Sequence, residues 1–181
     1  MATDLYWVEG PWPGKVAVAA RPRGGDWLEE DVRRWRANDF DTVLSLLTSP
    51  EEMALDLRRE SDVVKASGMN FLSLPIPDRE VPVSETEVSA VLENLNRKLA
   101  SGKNVLIHCR QGIGRSGLIA ACLLVSQGLK PQKAISQVEI ARGIPIPETI
   151  AQKQWIDHYA DVLAEPNLLL GAHNRAPHTH P

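Results

Sequence analysis

The chain has 181 residues, 43% hydrophobic and 24% charged, with a formal net charge of -3. That is enough apolar material for one domain with its own core, and the weakly acidic balance excludes a protein that coats nucleic acid or an anionic membrane. No apolar run is long enough to span a bilayer, and the start MATDLYWVEG lacks the basic and apolar regions of a secretory signal, so no membrane insertion and a cytoplasmic location are expected. In chain order, KVAVAA (15–20) predicts a short buried strand, and 27–37 a helix whose Leu28, Val32 and Trp35 share one face. DTVLSLL (41–47) and NFLSLPI (70–76) predict two more strands. Val88, Val91, Leu92, Leu95 and Leu99 make an apolar stripe over a helix 85–100, with Ser84 and Glu87 spaced as a capping box. NVLIHC (104–109) predicts a strand, followed by helices over 115–127, 131–141 and 147–163, the last two opening on prolines tolerated in a first turn. The expected fold is α/β: a central mixed sheet flanked by helices on both faces, closed by a C-terminal helical cluster. Residues 1–165 are expected to be one domain, and the tail 166–181, which contains GAHNRAPHTHP, to be disordered.

The stretch that carries chemistry is HCRQGIGRSG, His108 to Gly117, between a predicted strand and a predicted helix. Ligands in α/β sheets collect beyond the carboxyl ends of strands, which places Cys109 in a binding crevice. The loop Arg110, Gln111, Gly112, Ile113, Gly114 has glycines that allow unusual φ and close approach, so its N–H groups can curl inward as an anion nest at the positive end of the next helix. Arg115 presents a planar fork to two oxygens of one phosphate. Such surroundings favour the thiolate over the thiol, and a thiolate beneath an oxyanion cradle is suited to attack on phosphorus. Transfer of a phosphoryl group to sulfur is the expected chemistry. Protonation of the departing oxygen calls for a general acid on another loop. Cys122, inside LIAACLLV, reads as core packing, and the two cysteines are too few for a disulfide framework. The five histidines lack metal-site spacing.

HCRQGIGRS matches the H-C-x5-R-[ST] signature of the protein tyrosine phosphatase superfamily, and over roughly 15–160 the chain resembles its compact, dual-specificity members of bacterial type. The resemblance implies a cysteinyl-phosphate mechanism without metal or cofactor, in which Cys109 is nucleophile, Arg115 and the 110–114 amides bind phosphate, and Ser116 stabilises the departing thiolate. It also implies that His108 supports the loop by hydrogen bonding. IPDREVP resembles the acid loop W-P-D-x-x-V-P, with Ile76 in the tryptophan's place and Asp78 as acid and then base. PETIAQKQW (147–155) resembles the glutamine segment that orients the hydrolytic water, where Gln152 matches and Glu148 replaces the first glutamine.

The expected function is hydrolysis of phosphotyrosine, with phosphoserine and phosphothreonine as further substrates, in a phosphorylated protein or peptide partner. The alternative is a phosphoinositide or other non-protein phosphate monoester; a phosphate-binding module without turnover ranks lower. Arg21 and Arg23 in RPRGGD are candidate substrate contacts, weighed against a loop that is simply solvated. A monomer is the default oligomeric state.

Overall fold

The computed structural model describes residues 4–164, so the expectation for the tail falls outside the described residues. Five strands form one sheet: β1 (Leu5–Val8), β2 (Val16–Ala20), β3 (Phe40–Ser45), β4 (Asn70–Ser73) and β5 (Asn104–Cys109), in the order β1-β2-β5-β3-β4. β1 runs antiparallel to β2, and the other pairings are parallel, so the sheet is mixed as expected. The helices are α1 (Leu28–Ala37), α2 (Ser49–Ala54), α3 (Glu60–Ala66), α4 (Glu85–Ala100), α5 (Gly114–Val125), α6 (Pro131–Arg142) and α7 (Ile150–Ala164).

The two faces of the sheet bury separate cores. On one, Leu92, Leu95 and Leu99 of α4 and residues 118–125 of α5 pack with Val16, Val18, Val105 and Ile107. On the other, Leu28, Val32 and Trp35 of α1 and Val63 and Val64 of α3 pack with Ala17, Val43 and Leu106. The alternation of neighbours along β2 and β5 between these cores is the period-two pattern of a strand buried on both sides.

Several boundaries differ from the sequence expectation. β1 has no counterpart in it: the LYWV run is only partly buried at the sheet edge and is too short to show alternation. The strand expected over 70–76 ends at Ser73, because Pro75 has no N–H for a ladder bond, yet Leu74 and Ile76 still donate to Ser45 and Leu46. α7 begins at Ile150 because the Thr149 hydroxyl accepts the Gln152 N–H in the manner of an N-cap. At α4, the Ser84 hydroxyl accepts the Glu87 N–H, as its spacing predicts.

The parallel strands β2, β5 and β3 all end on the same side. The loops after them, 21–27, 110–113 and 46–48, therefore converge, and β5 in the middle delivers Cys109 to their centre.

Candidate active site

The strand pleat sends His108 and Cys109 to opposite faces. Cys109, only 3% exposed, points to the loop that follows, where its sulfur accepts the Gly112 N–H at 3.3 Å and lies 3.4 Å from the Ser116 hydroxyl oxygen. Gly112 has φ 68, and a β-carbon there would lie 2.4 Å from the Ala19 carbonyl carbon, so only glycine fits. Behind it, His108 is fully buried with its Nε2 2.7 Å from the Glu60 carboxylate and its ring against Trp35. His108 thus braces the strand end from the other core and does not reach the cleft.

Arg115 is buried in the first turn of α5 and its guanidinium is held on several sides. Nη1 donates to Glu51 Oε2 and to the Ile76 carbonyl, both at 2.8 Å; Nη2 donates to Glu51 Oε1 at 2.9 Å and to Asp78 Oδ1 at 2.8 Å. Glu51 is in turn fixed by the backbone N–H and hydroxyl of Thr48, each at 3.0 Å. Burial alone would raise the Glu51 carboxyl, but the Arg115 and Thr48 hydrogen bonds outweigh it and hold the group at about 2. Because Glu51 titrates lower in the folded chain than at its ordinary value of 4.5, the stability it contributes is present above that value and is lost as pH falls toward about 2. Glu51→Gln is expected to melt lower than the wild type at pH 6, with the gap closing on acidification through this window; thermal unfolding at stepped pH checks it, and a constant gap would count against the pairing.

Asp78 approaches from the loop after β4, half-exposed, with its carboxylate on Arg115. Asp78, Arg79, Cys109, Gln111, Gly114, Arg115 and Glu148 line one cleft of about 160 Å³. A larger groove of about 340 Å³ between α1 and α3 is lined by opposed charges such as Glu29, Arg33, Arg59 and Asp62, and no cysteine lines it. Arg110 and Gln111 are exposed at the rim, and Ile113 is half-buried.

Arg142, the last residue of α6, carries no sequence signal of its role. Its Nε donates to the Gly112 carbonyl at 2.7 Å and its Nη2 to the Gln111 carbonyl at 3.1 Å, while its guanidinium lies 3.8 Å over the Tyr6 ring. Drawing these carbonyls outward leaves the opposite edge of the loop backbone for anions.

Gln152 is fully buried and its amide is committed: Oε1 accepts the N–H groups of Glu148 and Thr149, and Nε2 donates to the Glu80 carbonyl. Glu148 is the member of this segment that faces the cleft. Of the loop arginines, Arg23 is bound to the buried Asp31 carboxylate and to Glu30 and stacks on Trp27, so it braces its own loop. The Arg21 backbone N–H meets the Arg110 carbonyl at 3.5 Å, which sets this loop beside the cysteine loop. Cys122 is buried in the core, and desolvation pushes its thiol well up. Among the described residues no cluster of His, Cys, Asp and Glu could hold a metal ion, and no helix is long and apolar enough to cross a membrane.

The arrangement can bind a tetrahedral dianion above a sulfur, with a carboxyl group beside it. Comparison with known proteins points the same way. The family model described as "Swiss Army Knife protein, DSP-PTPase phosphatase domain" matches residues 5–153. The pig protein named cyclin-dependent kinase inhibitor 3 is 38% identical over 139 residues, which is 76% of this chain but 65% of that relative's length. Its rat counterpart is 30% identical over the same shares. Among solved structures, the kinase associated phosphatase superposes with a TM-score of 0.82 at 22% identity, covering 91% of this chain and 97% of that one. Tk-PTP in its active form superposes at 0.71 with 28% identity, covering 87% and 96%.

Proposed function

Because the chain belongs to the dual-specificity-like family of cysteine-based protein tyrosine phosphatases, we propose that it hydrolyses phosphotyrosine, and phosphoserine and phosphothreonine, in proteins through a cysteinyl-phosphate intermediate. One observation carries this reading: the Cys109 sulfur, the Arg115 guanidinium and the Asp78 carboxyl, from three separated segments, line a single cleft. The names of the pig and rat relatives refer to a protein kinase, which supports a phosphoprotein over a lipid substrate. The cytoplasm, where thiols stay reduced, is the compartment in which such a nucleophile would persist.

In the first step the Cys109 sulfur donates an electron pair to phosphorus and the P–O ester bond breaks. The loop N–H groups and Arg115 hold the non-bridging oxygens as charge moves onto them. Asp78 delivers its proton to the departing oxygen, and the alcohol or phenol leaves neutral. In the second step water attacks phosphorus, Asp78 takes a proton from it, and the S–P bond breaks to return the thiolate. The Ser116 hydroxyl, beside the sulfur, turns its proton toward that thiolate.

Asp78→Asn tests the acid. Phenols leave readily compared with alcohols, and an activated aryl oxygen needs least help. The variant is expected to lose about 100-fold in kcat/KM on phosphoserine and phosphotyrosine peptides and clearly less on p-nitrophenyl phosphate. Equal losses on all three would remove Asp78 from the acid role.

A further inference from the structure

Residues 78 and 79 hang the acid loop from two separate ion pairs at the cleft. Asp78 reaches Arg115 of α5, and Arg79 reaches Glu148 ahead of α7. The segment 148–152 ties the loop backbone as well, since Gln152 donates to the Glu80 carbonyl at 3.1 Å and the Thr149 hydroxyl points to the Arg79 carbonyl at 3.5 Å. Arg79 itself has φ 64, a left-handed conformation that a side-chain-bearing residue keeps only where its surroundings hold it.

The two pairs cannot have the same fate during a reaction. Arg115 already faces two carboxylates, Glu51 and Asp78, and a phosphate oxygen binding in its fork competes with Asp78 for Nη2. Once Asp78 yields that contact to face the ester oxygen, its loop is anchored through Arg79 and the backbone ties to 148–152. The aromatic residue that the acid-loop pattern places two positions before the aspartate is Ile76 here, and it is buried in the core, where it cannot clasp the cleft.

We propose that the Arg79–Glu148 ion pair is the positioning device of the general acid, holding Asp78 over the leaving oxygen after phosphate has taken Arg115. The inference rests on the phosphatase reading above. Arg79 is 63% exposed and Glu148 34%, so the pair contributes little to stability. Orientation responds far more steeply, because an ångström of misplacement costs on the order of 100-fold in rate.

The test uses Arg79→Ala, Glu148→Ala and the exchanged pair Arg79→Glu/Glu148→Arg. Each is compared with wild type by kcat/KM, which ends at the first phosphoryl transfer, on phenyl phosphate and on a strongly activated aryl phosphate. Each single variant is expected to lose about tenfold more in kcat/KM on phenyl phosphate than on the activated ester, and the exchanged pair to recover part of that difference. Equal losses on both esters, or an exchanged pair no better than the singles, overturns the proposal. If the wild type hydrolyses neither ester, the phosphatase reading fails, and the pair is judged by amide hydrogen exchange across 77–81. Faster exchange in Arg79→Ala then supports a loop latch, and unchanged exchange overturns it.

Discussion

Replacing Cys109 by serine is expected to lower hydrolysis of p-nitrophenyl phosphate in EDTA by about a thousandfold or more, leaving the fold intact. The change is one atom: a serine oxygen can still accept the Gly112 N–H and sit beside the Ser116 hydroxyl, and the buried Arg115 and the carbonyls held by Arg142 are left as they are. A serine hydroxyl at this position has no histidine to take its proton, since His108 faces Glu60 in the opposite core. The variant is therefore expected to keep binding phosphopeptides while turning them over at background rates. Unaltered turnover would mean that the hydrolysis belongs to another group.

Arg115→Lys is expected to cost about 100-fold or more in kcat/KM although it keeps the charge. The guanidinium is gripped by Glu51 in a two-point fork, by the Ile76 carbonyl and by Asp78, and an ammonium cannot span these directions and also face a phosphate. Lysine keeps a cation beside Glu51 but loses one arm of the fork, so a stability loss of about 1–3 kcal/mol, that of a hydrogen bond to a charged group, is expected as well. Thermal unfolding and steady-state kinetics on the same preparation separate the two effects. A lysine variant with wild-type kcat/KM would show that charge without geometry suffices.

The parts of this site that are local in sequence are legible from the residues alone. A strand ending at Cys109, a glycine-bearing loop and a helix starting near Arg115 leave a dense pattern because each residue serves its neighbour. Asp78 is legible for the same reason, through the prolines around it. Glu51, Glu60 and Arg142 are not, because each acts across the fold on the cysteine loop, its preceding histidine or the following arginine. The segment 49–66 shows why. Its two helices are short, their apolar residues too few for a clear period, and the informative feature is Thr48 followed by Glu51, a capping spacing whose glutamate also serves Arg115. For Arg23 the charged loop suggests a substrate contact, and the buried Asp31 that binds it in the structure lies on the predicted helix with no sign of its burial. For Gln152 the sequence points to the segment 147–155, in which the structure ties the glutamine to the Glu80 carbonyl and turns Glu148 to the cleft.

The most direct measurement is to mix the wild-type protein with a rapidly cleaved aryl phosphate, quench in acid within a turnover, and locate any added phosphoryl group by peptide mass spectrometry. A single phosphoryl group on the peptide carrying Cys109, absent from Cys109→Ser, is the expected result. Turnover with no phosphoryl group on that peptide, or with one on a different residue, would contradict the cysteinyl-phosphate mechanism.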